Sequence, residues 1–302
     1  MSRVEPVADP ESLERMSSEV MALPAAATLV SERRWRVLAL RAGEAPTVMQ
    51  EIGRARERTF REVGEGSGAA RDLDDYDASY VQLVLWDDEH GVVGGYRVGY
   101  VDELLARGGP SALYTSTGFR FERRLIDHLD TAVELGRSFV VPEHQRSLSA
   151  LLLLWRGIGT LIARSDRHRL LLGAVSISAQ YSLASREQIA AFLLSRGRRS
   201  PWAPLVTPRK PFAAADEPPA DVRALEARVL ERDGRKPPVL IRQYLQLGMR
   251  GLACGVDPGF GGCLDVLCIA DLRDTPSQLL ARYMGEEGAR TFAARHDYAE
   301  VA

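Results

Sequence analysis

Apolar residues recur along this chain at two periods, and the switches between them predict its elements. In RWRVLALRA, Trp35, Val37, Ala39 and, less cleanly, Arg41 alternate with Arg36, Leu38 and Leu40, the two-residue period of a strand. Pro46 is a favourable first-turn residue. After it, Val48, Met49, Ile52, Thr59, Phe60 and Val63 fall on one helical stripe that stops at Gly64. A Gly-rich loop and the acidic DLDDYD follow. YVQLVLWD and VVGGYRVGY then flank an Asp-Glu-His-Gly turn and predict a hairpin.

AVELGRSFVV reads as a strand, Ser147 to about Ala163 as a helix, and RLLLGAVSIS as a strand. That spacing is a βαβ crossover, so the middle of the sheet is expected to be partly parallel. Helices are predicted at DVRALEARVLERDG and PVLIRQYLQLG, a strand at LDVLCIADL, and a closing helix at PSQLLARYMGEEGARTFAARH. RGGPSALYTSTGFRFERRLIDHL reads as a looser stretch, and SRGRRSPWAPLVTPRKPFAAADEPP as a long surface loop. Residues 1–30 are acidic and then Ala/Pro-rich, a leader or linker with room for one short helix; residues 31–302 read as one domain. The expected class is α/β or α+β: a mixed, partly parallel central sheet flanked by helices, with a helical C-terminal extension.

With 302 residues and 45% hydrophobic content the chain can bury a large core. A formal charge of −2 argues against a nucleic-acid partner held by bulk charge. Among the basic residues only Lys210 and Lys236 are lysine, which reflects compositional bias rather than a mass of guanidinium sites. Cys254, Cys263 and Cys268 have no CxxC spacing and no neighbouring His, so zinc is not expected and a reduced, cytoplasmic setting is. No secretory leader opens the sequence. The apolar run Ala150 to Trp155 is far short of the roughly 20 residues of a bilayer span, so any membrane association is expected to be peripheral, at the inner face.

Charges stand where their neighbours are apolar. Arg56 lies within the stripe of its helix, four residues from both Ile52 and Phe60, and a buried guanidinium is costly unless a carboxylate pairs with it. Asp74, Asp75 and Asp77 are the nearest supply. Arg97, Glu134 and Arg137 similarly interrupt apolar strands. Unrelated, partly exposed side chains at strand ends are one explanation; a shared polar cleft is the one three such cases favour.

In order along the chain, Arg56-x-x-x-Phe60, Asp74-x-Tyr76-Asp77, Gly94-Gly-Tyr-Arg97 and Glu134-Leu-Gly-Arg137 resemble the signature of a GNAT-like acyltransferase group. That group comprises the N-acyl-homoserine-lactone synthases and the ornithine-lipid N-acyltransferases. ELGRS, the LLLLW helix start and GAVSIS resemble the ornithine-lipid, or hemolysin-like, branch more closely. LYTSTGF, VSIS, TPRKPF, LIRQYLQLG and LARYMG resemble the N-acylating half of bifunctional lipid acyltransferases. The resemblance spans about residues 30 to 295, lacks the other half's His-x-x-x-x-Asp motif, and implies no pore.

The resemblance implies transfer of a fatty acyl chain, 3-hydroxylated in some members, from a pantetheine thioester to the α-amino group of an amino acid such as ornithine. Acyl carrier protein is the expected donor and partner, acyl-CoA is disfavoured, and no bound cofactor, metal or nucleic acid is expected. Attack needs a neutral amine, whose reference pKa is about 7.7 to 8.0, so Glu134 is the candidate base, directly or through water. The alternative for Glu134 is a structural ion pair with Arg137 or Arg97. Asp74 and Asp77 would recognise a cationic acceptor, while Arg56, Arg97 and Arg137 would bind its carboxylate or brace the acidic loop, with Phe60 among the acceptor-side residues.

On the donor side, Phe139, Val140 and Val141, splayed from the strand bearing Ser176 and Ser178, would hold the pantetheine amides. A strand N–H near Phe139 or Val140 would meet the oxyanion. Acetyl-CoA users wrap the pyrophosphate with a Gln/Arg-x-x-Gly-x-Gly/Ala turn. Here Gln145, Arg146, Ser147, Leu148 and Ser149 replace its first glycine with Leu148, whose Cβ obstructs close backbone approach. A carrier-borne phosphopantetheine presents a single phosphodiester, which Arg146, Ser147 and Ser149 could hold. The loop Ser195 to Pro211, with Arg196, Arg198, Arg199, Arg209 and Lys210, could dock an acidic carrier or an anionic membrane; a plain solvated loop is the alternative. Two further readings stand beside the lipid enzyme: an autoinducer-type synthase and a non-catalytic carrier- or lipid-binding module.

Overall fold

The computed structural model describes residues 4–145, 147–296 and 298. Its strands are β1 (Thr28–Glu32), β2 (Trp35–Arg41), β3 (Val81–Asp87), β4 (Gly91–Tyr100), β5 (Phe119–Phe121), β6 (Ala132–Val140), β7 (Leu170–Ile177), β8 (Val206–Pro208), β9 (Arg250–Asp257) and β10 (Cys263–Asp271). Its helices are α1 (Leu13–Ala22), α2 (Pro46–Glu62), α3 (Val101–Gly108), α4 (Arg123–Ile126), α5 (Leu148–Arg164), α6 (Leu183–Leu193), α7 (Val222–Asp233), α8 (Val239–Gln246) and α9 (Ser277–Arg295). The fold is mixed α/β, mostly antiparallel with one parallel pair, flanked by helices. Two compact units divide the chain: residues 1–100, 134–168 and 276–302, and residues 101–133 and 169–275.

The first unit is built on the sheet order β1-β2-β3-β4-β6, with β1 to β4 successively antiparallel. Alternation along β3 assigns its two faces. Gln82 reaches Arg56 on α2, while Leu83, one residue on, lies against α5, where a Cβ added at Gly157 would come within 3.1 Å of it. The two helices therefore cover opposite faces. Gly159 lets α5 approach α9 closely, since a Cβ there would meet the Tyr283 carbonyl oxygen at 2.5 Å. Gly285, at φ 75°, kinks α9.

The segment read as a leader or linker carries α1 and β1. Glu19 of α1 accepts from the amides of Thr47 (2.9 Å) and Val48 (3.0 Å), the open first turn of α2, where Ala45 supplies no side-chain cap. Burial opposes the charge on Glu19, but these bonds hold its carboxyl below the ordinary value.

In the second unit β7, β10 and β9 are successively antiparallel, and β5 pairs with β8. β9 escapes the periodicity reading because GLACGV is buried on both faces and interrupted by glycines. Gly251 is required there, as a Cβ would sit 2.5 Å from the Leu193 carbonyl oxygen. The stretch expected as a long surface loop contains β8, and Ser200, Ala203 and Val206 are buried. Cys254, Cys263 and Cys268 are buried free thiols; burial pushes Cys254 up to about 11 and Cys268 higher still. No helix among the described residues is long and apolar enough to cross a membrane.

Candidate active site

The charges that interrupt the apolar pattern of the first unit converge. Arg56, 1% exposed on α2, donates from Nη1 to Asp77 Oδ1 (2.8 Å) and from Nη2 to Gln82 Oε1 (2.6 Å). Gln82 returns a bond from Nε2 to Asp77 Oδ1 at 3.2 Å. In β3–β4 register Gln82 faces Arg97, which places that second buried guanidinium beside the same turn. Arg97 Nη1 pairs with Asp74 Oδ1 and lies 3.4 Å from Asp77 Oδ1.

The acidic turn is locally determined. Asp74 caps a short 3-10 turn, Asp75–Ala78, accepting from Tyr76 N at 3.0 Å, while Asp77 Oδ2 accepts from Asp74 N at 3.0 Å, a reciprocal capping box. Burial works against the charge on Asp77, yet Arg56 and Arg97 outweigh it and hold the carboxyl below its ordinary value. For Asp72 burial prevails over Arg137, Arg56 and Arg97, and the carboxyl is raised. Asp75 is exposed, so of the three candidate carboxylates it is Asp77 that answers Arg56.

β6 supplies the remaining members. Arg137 sits at φ 49°, the left-handed region disfavoured for a side chain, and its Nε lies 3.0 Å from Asp72 Oδ2 and its Nη2 3.5 Å from Asp74 Oδ2. Glu134, 1% exposed, accepts from the hydroxyl of Tyr80. The Gly94-Gly95 pair has a packing reason. A Cβ on Gly94 would meet the Phe139 carbonyl oxygen at 2.7 Å, and one on Gly95 the Leu83 carbonyl oxygen at 2.6 Å. Beyond Gly94, Val141 N donates to Val93 O at 2.9 Å.

The donor-side residues fall in both units. Phe139 and Val140 end β6 and Val141 directly follows it; Gln145 donates to Val140 O at 3.1 Å, Ser147 caps α5 without a side-chain bond, and Ser149 is exposed. Arg146 lies outside the described residues. In the second unit Ser176 donates to Asp265 (2.7 Å) and the Ser178 hydroxyl accepts from Gln180 N (3.0 Å). Phe60 is buried in the α2 stripe. Sequence reasoning missed Asp72, Tyr80 and Gln82. A lone amide in the apolar run YVQLVLWD was a legible signal for Gln82; nothing local marks Tyr80.

The family model described as an acetyltransferase (GNAT) domain matches residues 55–156, a span holding Arg56, Asp74, Asp77, Arg97, Glu134 and Arg137. The glycine N(alpha)-acyltransferase of Phocaeicola vulgatus is 34% identical over 245 residues, 72% of this chain and 74% of that protein. That of Bacteroides thetaiotaomicron is 33% identical over 247 residues, 72% and 71% respectively. Among solved structures, TofI in a ternary complex with an inhibitor and MTA aligns over 84% of this chain and 98% of its own, at 15% identity and a TM-score of 0.42.

Proposed function

The chain belongs to the N-acyltransferases that carry a GNAT domain, and from that premise we propose that it moves a fatty acyl group from acyl carrier protein to the α-amino group of glycine. The pairing of Asp74 and Asp77 carries the choice of acceptor. Both Asp77 oxygens are engaged, by Arg56 with Gln82 and by Asp74 N. Asp74 lies between Arg97 and Arg137. A cationic side chain such as that of ornithine would have to displace an arginine from one of them, whereas glycine brings only its own ammonium and carboxylate. The names of the two relatives support the same acceptor. The motifs resembling the ornithine-lipid branch make ornithine the competing substrate.

Exposure separates bracing arginines from contacting ones. Arg56 and Arg97 are 1% exposed and brace the acidic turn, whereas Arg137 retains 12% of its side-chain surface and is the guanidinium placed to meet the acceptor carboxylate. The amine nitrogen attacks the thioester carbon; the C–N bond forms and the C–S bond breaks. Glu134, buried, takes a proton from the amine through a water and returns one to the departing thiolate, leaving amide and thiol. An N–H of β6 near Phe139 or Val140 meets the oxyanion. The start of α5, without the glycines of a pyrophosphate-binding turn, suits a single phosphodiester, favouring a carrier-borne donor over CoA. Arg196, Arg199, Arg209 and Lys210 are exposed and offer an acidic carrier its contact, while Arg198 lies 4.1 Å over the Phe192 ring.

Mass spectrometry of lipids from cells expressing the chain or Glu134→Gln tests the reading. N-acyl glycine is expected from the wild type and on the order of 100-fold less from the variant. N-acyl ornithine in its place overturns the acceptor, and equal product from both chains overturns the base.

A further inference from the structure

Resting on the reading of Glu134 as the base, we propose that Tyr80 is the positioning residue that holds it for the reaction. Tyr80 stands between the acidic turn and β3 and is 1% exposed. Its hydroxyl donates to Glu134 Oε2 across 54 residues of sequence, tying the acidic turn to β6. The bond runs from the phenol to the carboxyl oxygen, and with the phenol fixed in place it holds the carboxyl group in one orientation.

The phenol is itself held on several sides. Its amide donates to Tyr76 O at 3.1 Å, and the Tyr76 ring meets it edge-on, with centroids 6.2 Å apart and planes at 81°. The Arg97 guanidinium lies 5.3 Å from the Tyr80 centroid and 5.6 Å from that of Tyr76. Arg97 is in turn anchored on Asp74. The carboxylate that moves the proton is thus oriented through Tyr80 by the same Arg97–Asp74 pair that shapes the acidic turn. An immobile base keeps its geometry against the amine, and small misplacements of such groups are costly in rate.

The test is a double-mutant cycle on the full chain, with glycine and a long-chain acyl thioester on acyl carrier protein as substrates. Tyr80→Phe removes one oxygen and keeps the ring, and its folding is checked by thermal melting. We expect kcat to fall roughly tenfold, the order a hydrogen bond to a charged group supplies, with both KM values nearly unchanged. In a Glu134→Gln background the same substitution is expected to change nothing further. Losses that add in the double variant, or an unchanged kcat in Tyr80→Phe, overturn the role of Tyr80 while leaving the base in place. Full kcat in Glu134→Gln overturns the base and the role of Tyr80 with it. Absence of N-acyl glycine from the wild type refutes the acceptor.

Discussion

Replacing Asp77 by Asn removes one charge from a site where 1% exposed Arg56 and 1% exposed Arg97 both face it, at 2.8 and 3.4 Å. Arg56 would keep Gln82 as its neutral partner and Arg97 would keep Asp74, but the buried positive charge would no longer be balanced. Breaking a buried pair from one side costs about 3–5 kcal/mol, and the acceptor oxygen that Asn retains places this substitution near 3. Arg56→Met should cost less, because Asp77 keeps Arg97 and the Asp74 amide. The double variant should lose less than the sum of the two singles.

Urea unfolding at neutral pH, followed by circular dichroism, measures all three. pH supplies an internal control. The Asp77 carboxyl is held below its unfolded value near 3.8, so its contribution is fully present above that pH and is lost as pH falls through the lower folded value. The difference between wild type and Asp77→Asn should therefore persist at pH 5 and close only in stronger acid. A cost under about 1 kcal/mol, the range of solvent-exposed pairs, would refute the argument.

Gly94→Ala should destabilise by about 1–3 kcal/mol and lower activity, since the added Cβ meets the Phe139 carbonyl oxygen at 2.7 Å and Val140 Cα at 3.2 Å, backbone that cannot swing aside. Thermal melting compared with a Gly136→Ala control, where no atom lies within 4 Å, distinguishes crowding from loss of glycine itself. Cys254, buried and pushed up to about 11, should resist thiol reagents at pH 8 in the native protein and react once it is unfolded; rapid native labelling of this residue would contradict its placement.

Periodicity recovered the elements that carry the site. The helix expected from Pro46 runs Pro46–Glu62, the hairpin is β3–β4, and the strand, helix and strand around residues 132–177 are β6, α5 and β7. It was blind where burial on both faces or glycine interruption erases alternation, as in β9; the one short helix allowed for in the leader is α1, which Glu19 ties to the first turn of α2.

The same division runs through the site. That Arg56 needed a carboxylate followed from sequence, because a guanidinium inside an apolar stripe must be paired wherever the chain folds. Which carboxylate it meets did not follow. Asp77 answers Arg56 over a separation of 21 residues, and Tyr80 answers Glu134 over 54. Sequence alone determined the helical stripe, the capping chemistry of the acidic turn and the charges that had to be buried together. The partners were decided by tertiary structure, through the register that sets Gln82 opposite Arg97 and the left-handed residue Arg137 in β6, because pairing at a distance depends on where whole elements dock.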